Sequence, residues 1–242
     1  MRKIILLSLL ILTFCIPGVG FSYSFQDDFN DGDLTGWSIK QGDWSNPGNH
    51  LLSSYDNYGV IWKDDSVGFD QYLKVDAWFD DSDPITKSAQ LRLRSDDAGS
   101  GGNPYFDHGY YACVQDGWFG VSNAVAPGNQ QLLGNIDIDL IDNSWHTLAF
   151  SVTGSGNDTN LKLWVDDVLY LDVFDTSGFQ HDDGGYIALG SSNHINRQIM
   201  YDNASGSTDE QPVPEPITMI LLGFGLFGLA GYRKITRQNR ST

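Results

Sequence analysis

Apolar and polar residues alternate in short stretches along the middle of this chain. The stretches QYLKVDAWF (71–79) and GYYACVQ (109–115) alternate with a period of two and contain β-branched or aromatic residues, which is typical of strands with one buried face. Further stretches of this kind are residues 89–95, 131–140, 146–154, 161–174 and 185–190. Clusters of Gly, Asn and Asp separate them, and no segment keeps a helical period. The pattern predicts an all-β sandwich or jelly roll, with Asp166-Asp167 turning a hairpin.

Both ends of the chain depart from this alternation. At the start, Arg2 and Lys3 precede an uncharged apolar run, which predicts a secretory signal peptide over residues 1–24. Near the end, residues 217–232 carry no charge, and a helix of that length spans about 24 Å. Four cations follow within residues 233–242. These features predict a single transmembrane helix with a basic cytoplasmic tail, and an exported domain on the other side of the inner membrane.

The segment before this apolar run contains a short motif. A polar spacer over residues 206–216 ends in Val213, Pro214, Glu215 and Pro216. The motif, the Gly-punctuated apolar run and the terminal arginines together resemble a PEP-CTERM sorting signal. The resemblance implies a Gram-negative host that makes exopolysaccharide. It also implies an exosortase-type membrane protease as partner and a final location at the cell surface or in the extracellular matrix.

Charge and cysteine content narrow the choice of partners. Residues 25–209 hold 29 aspartates against eight lysines and arginines, which leaves a net charge of −21. Such a body repels nucleic acid and anionic headgroups, so no nucleic-acid partner is expected. It suits divalent cations, neutral sugars or basic partners, or it serves solubility alone.

Cys15 lies in the leader, so Cys113 is the single cysteine of the exported domain and has no internal disulfide partner.

The order of signals within residues 25–205 resembles the concanavalin A-like, or laminin G-like, jelly rolls. The pieces that carry the resemblance are DDFNDGD (27–33), Trp145-His146-Thr147, LKLWVD (161–166) and Tyr201-Asp202-Asn203. The resemblance implies a jelly-roll sandwich of a class that includes carbohydrate-active and PEP-CTERM-linked members. It also implies one structural Ca2+ where the first and last strands meet, near Asp28, Asn30, Gly42 and Asp202. The alternative is that these residues only cap and turn the chain.

A glycan site can be predicted from one strand and the loop after it. Arg92 and Arg94 alternate with two leucines, which places both arginines on the sheet face opposite the leucines. There their guanidinium groups can form bidentate hydrogen bonds with acidic sugars. The predicted stacking residues are Tyr105, Phe106, Tyr110 and Trp118. Alternatively, the arginines pair with Asp96, Asp97 or Asp107 and only stabilise the sheet. Four further tryptophans are predicted to fill the core: Trp37, Trp44, Trp145 and Trp164.

Catalysis has less support than binding. The glycosidases among the jelly rolls that this chain resembles use a pair of glutamates for catalysis. Residues 25–209 of this chain contain no Glu. Asp137 and Asp139 would share one face of a strand about 6.6–7 Å apart, close enough for a carboxyl pair. Nothing around them marks an acid or a nucleophile, and no catalytic residue is assigned. We therefore expect non-enzymatic glycan binding or a matrix role. The alternatives are a glycoside hydrolase or lyase using Asp, and a purely structural surface protein.

Overall fold

A computed structural model describes residues 23–208 except 54–57, 80–87, 97–107, 116–117, 127–128, 139, 141, 179, 183 and 193–198. For residues 58, 115, 118–126, 129–130, 136–137 and 192 only the backbone is described. Residues 1–22 of the predicted signal peptide, the predicted transmembrane helix and the basic tail therefore lie outside the described residues. The last two residues of the predicted signal peptide, Tyr23 and Ser24, are described, and Ser24 begins the first strand. Among the described residues, no helix is long and apolar enough to cross a membrane.

Fifteen strands make up the described part of the fold. They are β1 (Ser24–Asp27), β2 (Trp37–Gln41), β3 (Trp44–Ser45), β4 (Leu51–Ser53), β5 (Tyr58–Lys63), β6 (Gln71–Phe79), β7 (Ser88–Ser95), β8 (Gly109–Gln115), β9 (Trp118–Ala126), β10 (Asn129–Asp137), β11 (Ser144–Thr153), β12 (Asn160–Val165), β13 (Val168–Phe174), β14 (Tyr186–Ser192) and β15 (Ile199–Ser207). One 3-10 turn, Gly156–Asp158, interrupts them.

The strands form two antiparallel sheets. The eight-stranded sheet has the order β13-β12-β11-β6-β15-β4-β3, with β1 also paired to β15. The seven-stranded sheet has the order β10-β9-β8-β7-β14-β5-β2. Long connections between the sheets place strands distant in sequence side by side, as in a Greek-key sandwich. The predicted all-β jelly roll is confirmed.

The core lies between the sheets because each strand turns alternate side chains inward. In β6, Leu73, Val75, Ala77 and Phe79 are buried and alternate with half-buried neighbours. Leu91 and Leu93 of the facing sheet enter the same apolar cluster. Burial of this apolar surface is the main favourable term that holds the two layers together.

The predicted hairpin turn at Asp166-Asp167 is confirmed. It joins β12 to β13, and both aspartates have positive φ, 50° and 62°. Two successive residues of this kind give the turn whose twist matches that of paired strands. The Lys74 ammonium lies 2.9 Å from an Asp167 carboxylate oxygen and ties the turn to β6.

Two of the four tryptophans that were predicted to fill the core do not lie in it. Trp37 and Trp44 are buried in the core, as expected. Trp145 is 44% exposed, so the prediction that it fills the core is wrong. Trp164 is half-buried, with its ring edge against Tyr72, which alternates with core residues of β6 and so faces outward. Both misplaced tryptophans occupy the strand positions that alternate with core leucines and valines.

Candidate glycan-binding site

Arg94 is a buried structural residue. Its side chain is fully covered, and its guanidinium donates to three backbone carbonyls: Phe69 at 2.6 Å, His181 at 3.0 Å and Gly154 at 2.6 Å. Asp70, 3.7 Å away, is its described ionic partner. The prediction that Arg94 stands exposed on a sheet face is therefore wrong, because three loops close over it.

Arg92 is buried as well. It does lie on the face opposite Leu91 and Leu93, but only 2% of it is exposed. Its Nη2 donates to Gln90 Oε1 at 2.6 Å, and its guanidinium carbon lies 5.6 Å from the centre of the Tyr111 ring. The prediction that Arg92 is exposed for an acidic sugar is wrong, because neighbouring side chains already surround its charge.

The predicted stacking residues fall into two groups. Tyr110 is fully buried, and its hydroxyl donates to Asp175 Oδ2 at 2.8 Å, so the prediction that it offers an open face to a sugar is wrong. Tyr105 and Phe106 lie outside the described residues. Trp118 begins β9, where the backbone alone is described. The roles of these three residues stay predictions.

A different cavity lies where the first strand meets the last. It has a volume of about 660 Å³ and is lined by residues 26–28, by Asp31 and Thr35 of the following loop, by Lys63, and by residues 203–205 of β15. We call it the first-strand cavity. Clefts of this size hold small ligands, and a few convergent polar groups set their orientation. Carboxylate, amide and hydroxyl oxygens in this wall can accept the hydroxyl protons of a sugar.

The wall of the first-strand cavity is fixed from behind by Asp27. One oxygen of this carboxylate accepts the Trp37 indole N–H at 2.8 Å, and the other accepts the Phe29 amide at 2.9 Å. The Lys63 ammonium lies 5.1 Å from the centre of the Trp37 ring, within reach of a cation–π attraction. Asp28 and Asp31 complete a wall in which carboxylates outnumber the one cation, so the cavity disfavours acidic sugars.

The predicted calcium residues are only partly brought together. Burial raises the pKa of Asp202, and the nearby charges of Asp76 and Asp28 raise it further, which places Asp28 and Asp202 within electrostatic reach. The Asn30 amide donates to Asp28 Oδ1 at 3.2 Å. Gly42 turns the chain between β2 and β3 with a φ of 83°, and its place in a calcium site stays a prediction. Within the described ranges, no three His, Cys, Asp or Glu side chains are arranged to hold a metal ion.

One surface cluster has the residue types of a hydrolytic triad. Ser144 Oγ lies 3.1 Å from His146 Nε2, and His146 Nδ1 lies 2.9 Å from Asp166 Oδ2. However, Asp142 also lies 3.1 Å from Nε2 and accepts the Ser144 hydroxyl. Burial lowers the pKa of His146, but the bonds to Asp166 and Asp142 outweigh it and raise the pKa overall. Each ring nitrogen faces a carboxylate oxygen, an arrangement in which both nitrogens act as donors and neither is free to accept the Ser144 proton. The geometry therefore does not support this triad.

The other catalytic candidates gain no geometric support. Strand β10 ends at Asp137, and Asp139 lies outside the described residues. The two are therefore not shown on one strand face. The pair remains a hypothesis drawn from the sequence.

Comparison with known protein families identifies the end of the chain. Residues 212–234 match the PEP-CTERM protein-sorting motif. The tail is a PEP-CTERM sorting motif. This span contains Val213, Pro214, Glu215 and Pro216, so the predicted sorting motif is confirmed. PEP-CTERM segments are signals for protein sorting, and this one accounts for an apolar run at the end of an acidic chain.

Solved structures resemble the sandwich that precedes the PEP-CTERM motif. A carbohydrate-binding module, CBM66 from Bacillus subtilis, has a TM-score of 0.54 and 18% identity and covers 72% of this chain and 96% of its own. The potassium-bound carbohydrate recognition domain of Emp46p has a TM-score of 0.60 and 12% identity, covering 77% and 96%. An endo-1,3-beta-glucanase from Streptomyces sioyaensis has a TM-score of 0.51 and 13% identity, covering 80% and 99%. No curated protein matches the chain in sequence. At these identities the likeness establishes the fold.

Proposed function

We propose that this protein is exported, is sorted to the cell surface through its PEP-CTERM motif by an exosortase-type protease, and binds exopolysaccharide there without cleaving it. The observation that carries the proposal is the joining of a PEP-CTERM motif to a lectin-like sandwich in one chain. Several solved structures that the sandwich resembles are carbohydrate-binding domains by name. In this proposal, the apolar segment of residues 217–232 forms the predicted transmembrane helix and anchors the protein in the membrane before sorting.

The first-strand cavity is the glycan site in this proposal. Its carboxylates and amides accept hydroxyl protons, and its excess of negative charge selects neutral sugars over uronates. Gln26 and Thr35 contribute polar groups from exposed positions, so they can be changed without opening the core.

Affinity electrophoresis in gels cast with the host's own exopolysaccharide tests the site. We expect the double variant Gln26→Ala/Thr35→Val to bind about five- to tenfold more weakly, because one or two hydrogen bonds contribute about 0.5–1.5 kcal/mol each. Gln131→Ala, an exposed position on β10, is the matched control and should migrate like the wild type. Equal retardation of all three proteins would remove the first-strand cavity from the proposal.

A second candidate, an Asp-dependent glycoside hydrolase or lyase, is supported by the resemblance to the endo-1,3-beta-glucanase. Release of reducing ends from the same exopolysaccharide would favour it, and loss of that release in Asp137→Asn/Asp139→Asn would assign the residues. The proposed binding function predicts no release by either protein.

Calcium binding where the first and last strands meet stays a prediction. Carbonyl oxygens and water would have to complete the coordination, since calcium takes six to eight oxygen ligands. We expect millimolar calcium to raise the thermal midpoint and EDTA to lower it, because a cation offsets the repulsion among Asp28, Asp76 and Asp202. Asp202→Asn should abolish the response, and Asp172→Asn on β13 should keep it. A midpoint that calcium and EDTA leave unchanged contradicts the prediction.

A further inference from the structure

Four large apolar residues lie side by side on the outward face of the eight-stranded sheet. In the antiparallel register, Trp145 is paired with Trp78, Trp78 with Met200, and Met200 with Leu52. We call these four residues the outer row. Along β6, β15 and β4 the residues on either side of the row are buried, so strand alternation turns the row toward solvent. These buried neighbours are Ala77, Phe79, Ile199, Tyr201, Leu51 and Ser53.

The outer row leaves apolar surface in contact with water. Trp145 is 44% exposed, and the other three side chains are half-buried. The row crosses four strands, a width of about 14 Å at the usual strand spacing. An apolar band bordered by polar residues is a feature that interaction surfaces share.

A polar row runs directly beside the outer row. Thr147 is paired with Asp76, and Asp76 with Asp202. The Thr147 hydroxyl donates to Asp76 Oδ1 at 2.6 Å, and the Asn203 amide donates to Asp76 Oδ2 at 2.9 Å. Carboxylate oxygens are therefore held in place along one edge of the apolar band. A sugar ring has complementary chemistry, with C–H bonds on its faces and hydroxyl donors around its rim.

The size and charge of the surface argue against a protein partner. A stable protein interface buries about 800 Å² on each side, and a fully buried aromatic side chain supplies about 150–250 Å². The outer row has two aromatic residues, one of them already half-buried, so it falls short of that area. The strongly acidic domain also repels a second copy of itself and any polyanion. A neutral polysaccharide chain can bind through a smaller contact area than a protein, and the negative charge of the domain does not repel it.

We propose that the outer row is a second glycan-contact surface, on which a neutral polysaccharide chain lies across the sheet and stacks on Trp145. This inference rests on the proposed glycan-binding function and adds a flat surface suited to extended or insoluble chains. The outer row shares no residue with the first-strand cavity, and the two meet at Asn203, which lines the cavity and donates to Asp76. Trp78, Met200 and Leu52 continue the apolar floor, and the Asp76 row accepts hydroxyl protons along its edge.

Depletion binding of the purified protein to microcrystalline cellulose and to chitin, both neutral and insoluble, tests the surface. We expect Trp145→Ala to bind at least about tenfold more weakly, as for a central tryptophan at other interfaces. Trp145→Phe keeps a ring and should bind within about threefold of the wild type. Phe174→Ala removes another exposed aromatic residue, on β13, and should bind like the wild type. Because Trp145 is outside the core, thermal melts should show all three variants folded.

Three results would overturn the inference. The first is that the wild type binds neither polysaccharide. The second is that Trp145→Ala binds as well as the wild type, or that Phe174→Ala weakens binding as much as Trp145→Ala does. The third is a dimer in solution that Trp145→Ala dissociates, which would make the row an interface between copies. The gel cast with soluble exopolysaccharide distinguishes failure of the outer row from failure of the proposed function. If one of these three results is found and the wild type is still retarded in the gel, only the outer row is contradicted. If the wild type is not retarded either, glycan binding itself is contradicted.

Discussion

Replacing Arg94 with alanine is expected to destabilise the sandwich by about 3–5 kcal/mol, because it strips hydrogen-bond donors from several buried carbonyls at once. The guanidinium joins three separate segments through the carbonyls of Phe69, Gly154 and His181. Its backbone has a φ of 51°, a conformation that costs a non-glycine residue energy and persists only where the surroundings hold it. A thermal melt should show the midpoint falling by about 6–20 °C.

Two further variants distinguish a buried anchor from a surface charge. Arg94→Lys should recover little stability, since an ammonium group cannot reach the same three carbonyls. Lys162→Ala removes a cation 3.8 Å from Asp172 at a partly exposed site and should cost less than about 1 kcal/mol. A midpoint for Arg94→Ala within about 2 °C of the wild type would show that the buried contacts do not stabilise the fold.

Replacing Pro214, Glu215 and Pro216 together with alanine is expected to stop delivery of the protein beyond the inner membrane. These residues lie within the PEP-CTERM motif, and the resemblance assigns their recognition to a membrane protease. In the native host, the wild type should be found at the surface or in the matrix with a mass that shows removal of the tail. The triple variant should stay in the inner-membrane fraction with its tail intact.

Cell fractionation followed by intact-mass measurement of each protein checks this expectation. Gln211→Ala, just outside the matched segment of residues 212–234, is the matched control and should be sorted like the wild type. If the triple variant reached the same fraction with the same mass as the wild type, the motif would not direct sorting in this chain.

The strands were predictable where polar and apolar residues contrast sharply. Strands β6 and β8 occupy the predicted residues because each has aromatic or aliphatic side chains at alternate positions. Strand β9, WFGVSNAVA, was not predicted, since Gly, Ser and Asn interrupt its alternation and its order comes from pairing with β8 and β10. Local pattern cannot reveal a strand that its neighbours stabilise.

The site residues were less predictable than the strands. Alternation placed Arg92 on the correct face of β7, but it could not show that Gln90 and Tyr111 cover this side chain. Arg94 lies where the register shifts and has a positive φ, and its guanidinium bonds carbonyls 25 to 87 positions away, which no local pattern indicates. The first-strand cavity likewise draws its wall from β1, the loop after it, Lys63 and β15. The acidic DDFNDGD stretch marked this region in the sequence, whereas nothing local indicated Gln26, Thr35 or Lys63. Trp145 was misplaced because a large apolar residue in a strand usually packs inward.

Migration of the wild-type protein through a native gel containing the host's exopolysaccharide, with a parallel assay for released reducing ends, tests the central claim most directly. Glycan binding without catalysis predicts strong retardation relative to a gel without polysaccharide, and no reducing ends above background. Unretarded migration would contradict glycan binding, and released reducing ends would show that the protein is an enzyme.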